Sequence, residues 1–175
     1  MKLDKKKILI GTICFVTIGL LSNGLIGGLP YFVVPFIFGL VLPFTNWRGL
    51  GKMKVIKLTF VAFTSLVLFY LSFFAAMTLG KDSLVVVAII CGLAGVGQYL
   101  ATSVFIISLD KGVIQLGLIL LLGLISIPTA ELLTMIVGGD RIPSDFFFPG
   151  WTILVGLGMS LGQRKKEHKT DKSIC

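Results

Sequence analysis

The sequence predicts an all-α fold: a polytopic transmembrane helical bundle of about six spans, with both termini in the cytoplasm and no soluble domain. Three observations predict it. Of 175 residues, 55% are hydrophobic and only 14% are charged, whereas a soluble domain is about one quarter charged. The apolar residues form long runs, most of about the 20 helical residues that a bilayer crossing needs, with the second and sixth at the lower limit, where a re-entrant or tilted segment is the alternative. The basic residues gather at every second junction between those runs.

The spans follow in order. Residues 8–26 form the first, behind a basic start at Lys2, Lys5, Lys6 and Lys7. A basic start and an apolar run also describe a secretory leader, but Ser22, Asn23 and Gly24 offer no small-x-small cleavage pattern, so the run reads as a helix. After a Gly27-Gly28 turn, residues 29–45 form the second span, with Pro35 expected to kink it. A basic loop carries Arg48, Lys52, Lys54 and Lys57, and residues 58–79 form the third span. Tight turns at 80–83 and 110–112 bound the fourth, residues 84–109. The fifth, residues 113–137, contains Pro128, and a polar loop follows before the sixth, residues 146–162. A charged segment, 163–175, ends the chain, and 1–175 reads as one membrane domain. Helices surrounded by lipid are apolar on all sides, so these assignments rest on length and apolarity and not on periodicity.

Charge sets the orientation. With the N-terminus inside and six alternating spans, 14 of the 16 Lys and Arg residues lie inside, all but Lys81 and Arg141. Short loops obey the positive-inside rule, and an odd number of spans would put a basic block outside. Trp47 falls at the inner end of the second span, and Phe146, Phe147, Phe148 and Trp151 fall at the outer end of the sixth, where an aromatic belt is expected. The expected location is therefore a cell (cytoplasmic or inner) membrane, crossed several times. The net charge of +8 serves topology and not nucleic acid, because no aromatic residues interleave a basic patch.

Catalytic chemistry is poorly supplied. The single histidine, His168, lies in the charged end, which removes Ser-His-Asp and Cys-His catalysis and any two-histidine metal site. Cys14, Cys91 and Cys175 make no Cys-x-x-Cys pair, and no metal or cofactor motif is present. Gly92, Gly95 and Gly97 lie in mid-span, so they read as a helix-packing surface and not as a phosphate loop. Gly158 and Gly162 repeat the small-x-x-x-small spacing in the sixth span.

Glu131 is the one acidic residue placed inside a span, six residues before Val137, hence about 9 Å below the outer end at 1.5 Å per residue. An intramembrane carboxylate is costly and marks a ligand or ion site by default. Pro128 frees a backbone carbonyl nearby, as in broken transporter helices. Gln98 and Asn23 are placed with it in the outer half, and Arg141 in the following loop is an alternative partner for its charge.

Two functions fit. One is a non-catalytic accessory, assembly, regulatory or immunity-type subunit that works by helix association with the bilayer and with another membrane subunit or itself. The other is a small-solute or ion transporter, or its substrate-binding subunit, with a site around Glu131. In size and six-span plan the chain resembles the small substrate-binding membrane subunits of modular vitamin importers; no motif carries that likeness.

Overall fold

The computed structural model describes residues 3–22, 33–80, 83–106, 109–137 and 143–165. Their regular structure is helical, and the backbone bridges Leu3–Arg164 and Leu109–Gln163 stand isolated. Helix α1 spans Lys5–Leu21, capped by Asp4, whose carboxylate accepts from the Lys7 N–H. It begins before the apolar run because lysine is itself a good helix former. Helix α2 spans Val33–Thr45. Pro35 falls in its first turn as described, where a missing N–H breaks no helical hydrogen bond. The kink expected at Pro35 thus falls at the start of the described helix, and Pro43 is the proline inside it.

A short 3-10 helix, Trp47–Leu50, leads to α3, Lys54–Leu79. Helix α4 spans Leu84–Ser103 behind an N-cap at Ser83. It ends six residues short of the expected span. Thr102 and Ser103 turn their hydroxyls back onto the carbonyls of Gln98 and Leu100, while Ile106 and Leu109 are buried outside any helix. Hydropathy alone cannot separate such a buried turn from a helical end. Helix α5 spans Val113–Val137 with Pro128 inside, and α6 spans Pro143–Leu161 with Pro149 inside. Pro143 opens α6 at the position where proline suits a helix start.

Three of the helices carry segments long and apolar enough to cross a membrane: Lys54–Leu79, Leu84–Ser103, and Val113–Leu133 within α5. Val33–Thr45 and Pro149–Leu161 are apolar but shorter.

Each helix packs against the next in sequence, and α6 closes the ring against α1. The even-numbered helices α2, α4 and α6 also touch one another, so α1, α3 and α5 each lie in a groove between two of them. The core joins Phe15, Phe38, Tyr99, Ile119, Val155 and Met159. Glycines set the closest approaches. A Cβ on Gly123 would stand 2.6 Å from the Gly92 Cα, and one on Gly39 would stand 2.6 Å from the Ser65 Cβ. Such backbone contact is a main source of helix association where no hydrophobic force acts between helices.

One end of the bundle is tied by polar groups. Gln163, fully buried, accepts at Oε1 from Thr45 and Asn46 and donates through Nε2 to the Lys7 carbonyl. Its own carbonyl accepts from the Asp4 N–H at 3.1 Å. Tyr99 donates to the Asp110 carbonyl at 2.8 Å, and the Asp110 carboxylate pairs with Arg164. The starts of α1 and α5 and the ends of α2, α4 and α6 therefore meet in one network.

Candidate functional site

A cavity of about 50 Å³ lies between α3 and the inner helices α2, α4 and α6. It sits toward the end of the bundle where α2 and α4 begin and α3 finishes. Phe38, Phe69, Phe73 and Trp151 provide its aromatic wall, with Cys91, Ala94 and Gln98 from α4. These residues converge because α3 turns one face inward: Ser65, Phe69, Ser72 and Ala76 recur at helical spacing and all line the cavity. Small and hydroxyl side chains on that stripe leave room that Leu or Phe would fill.

The polar groups of the wall are mostly spoken for. Trp151 Nε1 donates to the Cys91 carbonyl at 3.0 Å. Ser65 donates to the Pro35 carbonyl and Ser72 to the Leu68 carbonyl, each at 2.7 Å. Both serine oxygens keep lone pairs free to accept. Gln98 differs. It is 3% exposed, and neither its Nε2 nor its Oε1 has a hydrogen-bond partner among the described residues. A carboxamide so placed costs about 1–3 kcal/mol when nothing satisfies it. The described lining holds no charged side chain, so the cavity offers donors, acceptors and aromatic surface without a counter-ion.

The residues singled out in the sequence do not assemble around Glu131. Gly92 abuts Leu120 and Gly123 of α5. From that contact Gln98 lies six residues along α4 toward one end, and Glu131 lies eight residues along α5 toward the other. At 1.5 Å per residue they are about 20 Å apart along the bundle. Glu131 is half-buried and has no ion-pair partner among the described residues. Asn23 and Arg141 lie outside the described residues, as does the loop between Val137 and Pro143.

The glycines face inward. Cβ atoms would meet Leu120 from Gly92 at 2.8 Å and Val155 from Gly95 at 2.8 Å, while Gly97 stands in ordinary contact with Leu68 at 3.7 Å. Gly158 faces Leu122 and Ile119, and Gly162 makes room for the Tyr99 hydroxyl. Trp151, expected at the membrane surface, is 8% exposed and packs on Phe38 at 5.2 Å. Its indole N–H needs an acceptor when buried, and the Cys91 carbonyl supplies one. The cavity wall was not anticipated. The signal for it was the recurrence of Ser65, Ser72 and Ala76 in an otherwise bulky apolar span.

Comparison with protein-family models, with curated proteins and with solved structures finds no match for the chain.

Proposed function

We propose that this chain is a multi-pass protein of the cell membrane, with six spans and both termini in the cytoplasm, that binds a small uncharged polar solute at Gln98. The buried Gln98 carboxamide, without a hydrogen-bond partner among the described residues and in a cavity whose described lining is uncharged, carries the reading. The split of basic residues between alternate junctions supports the orientation. On that orientation Gln98 lies at the inner end of the α4 residues that line the cavity.

The chemistry defines the solute class. One Gln98 N–H₂ donates and one carbonyl accepts, side by side, so the best partner presents an acceptor next to a donor. An amide, a urea or a vicinal alcohol does so. A water-sized group needs about 10–15 Å³, so the cavity of about 50 Å³ takes a solute of only a few heavy atoms. An ion would meet no counter-charge among the described lining residues, at a heavy desolvation cost. Glu131 lies outside this site, and the role proposed is non-catalytic: binding, and passage if the cavity opens to both sides.

The test is uptake of radiolabelled urea, acetamide and glycerol by proteoliposomes. The wild type is expected to exceed empty vesicles for at least one of them, and Gln98→Met to fall to the empty-vesicle rate. Methionine fills similar volume without the unsatisfied amide, so this variant is expected to unfold at an equal or higher temperature. Equal uptake by both proteins contradicts the site.

The second reading is an accessory or assembly subunit acting by association. Helix α3 favours it: it buries only Val61, Ala62 and Ser65, and leaves Phe63, Leu71 and Phe74 exposed. The glycine faces are used within the bundle, and α3 is the least buried of the three long apolar helices, so the partner subunit is placed on α3. Co-purification of a stable partner that is lost on α3 substitution supports this reading over the first.

A further inference from the structure

A second concavity lies on the outside of the bundle, between α1 and α2. It measures about 580 Å³ and is lined by Ile10, Ile13 and Thr17 from α1 and by Ile37, Val41 and Phe44 from α2, among others. The exposed members include Ile13 at 56% and Phe44 at 56%. We infer that this groove holds one acyl chain of an anionic phospholipid, with its headgroup phosphate between Lys6 and Arg48.

Register and charge carry the inference together. On α1 the lining positions 10, 13 and 17 recur at three and four residues, and the same stripe one turn earlier reaches Lys6. On α2 the positions 37, 41 and 44 reach the last turn of the helix, and Arg48 follows in the 3-10 helix Trp47–Leu50. The Lys7–Asn46 hydrogen bond sets the start of α1 beside the end of α2, so the exposed cations Lys6 and Arg48 both belong to this end of the groove. Lys7 beside them is already engaged, donating to Asn46 Oδ1 at 2.8 Å and lying 3.7 Å from the Asp4 carboxylate. Lys6 and Arg48 have no ion-pair partner among the described residues.

A tryptophan marks the depth. Trp47 stacks on Phe44 at 5.8 Å, and the Lys54 ammonium lies 5.1 Å from the ring centroid. An amphipathic indole held by a cation belongs at headgroup level. The groove thus runs from headgroup depth into the hydrocarbon, apolar along its length and cationic at one end. A zwitterionic lipid would fill the apolar part but leave the two cations less well matched, since juxtamembrane cations select anionic headgroups at about 1 kcal/mol each. Guanidinium adds a bidentate fit to phosphate.

The inference rests on the membrane placement of α1 and α2 and not on the Gln98 cavity. The experiment is native mass spectrometry of the full chain from mild detergent, doped with equal dioleoyl phosphatidylglycerol and dioleoyl phosphatidylcholine. One phosphatidylglycerol is expected to persist at activation that strips phosphatidylcholine. Lys6→Gln with Arg48→Gln is expected to cut its retention about thirtyfold, consistent with two headgroup contacts at about 1 kcal/mol each. Thr17→Trp, which fills the groove and leaves both cations, is expected to cut it too. Retention by Thr17→Trp but not by the charge variant would mean a bound headgroup without a seated chain, and overturns the groove. Equal retention of both lipids, or retention unchanged in both variants, overturns the inference altogether. Alkaline extraction of native membranes is read alongside. Protein released by carbonate contradicts the membrane placement itself, whereas protein that stays but keeps no lipid contradicts only the groove.

Discussion

At the scale of the residue, two polar side chains do opposite work. Gln98 is buried without a hydrogen-bond partner among the described residues, a cost that a packed apolar residue would remove. Asp110 is satisfied twice over: Arg164 donates to it from Nε at 3.2 Å and from the second guanidinium nitrogen, and the Gly112 N–H donates at 2.8 Å. The Arg164 hydrogen bond, then the Gly112 N–H, hold this carboxyl below the usual carboxylate range. A carboxyl whose folded pKa is lowered stabilises the fold fully above its ordinary pKa, and that contribution fades as pH falls through the lowered value. Melting in detergent should therefore drop more steeply for the wild type than for Asp110→Asn below about pH 4. At neutral pH the variant should lose no more than about 1 kcal/mol, because the pair is partly exposed. A wild type and variant with parallel pH profiles would show that the pair does not hold the bundle end. Gln98 was visible in the sequence as a lone amide in an apolar span. Its surroundings were not, because a single sequence does not reveal which aromatic side chains of α2, α3 and α6 come to face it.

At the scale of the element, the contact between α4 and α5 fixes the geometry of everything near it. Gly123 lies against Gly92, so any side chain there must push the helices apart. Gly123→Val is expected to destabilise by about 1–3 kcal/mol, the range for overpacking. Gly117, on the same helix, meets nothing within 4 Å, and Gly117→Ala is expected to be neutral or to stabilise by up to about 1 kcal/mol through helix propensity. Thermal unfolding of both variants in one detergent checks the contrast, and similar losses at the two positions would contradict the observed register. That register also explains what the sequence could and could not show. The ends of α3 and α5 were legible to within a few residues from apolar runs and basic ends, whereas α1 ends at Leu21, short of the expected residue 26. The axial offset between α4 and α5 was not, since it is set by two glycines on different helices. Grouping Gln98 with Glu131 required that offset, and the offset separates them.

At the scale of the whole molecule, an inner triangle of α2, α4 and α6 is flanked by α1, α3 and α5 and tied at one end around Gln163. The tied end carries the basic loops, and the cavity lies toward the other end. The chain holds three glutamines, Gln98, Gln115 and Gln163, and the last two are hydrogen-bonded within the protein, Gln115 to the Gly158 carbonyl at 2.6 Å and Gln163 as described. Side-chain amide resonances of ¹⁵N-glutamine-labelled protein in nanodiscs, followed during titration with acetamide and urea, therefore carry their own controls. The account predicts that the Gln98 amide shifts and saturates while Gln115 and Gln163 stay fixed. A Gln98 resonance that does not move, or that moves only in step with the other two, would contradict solute binding at this site.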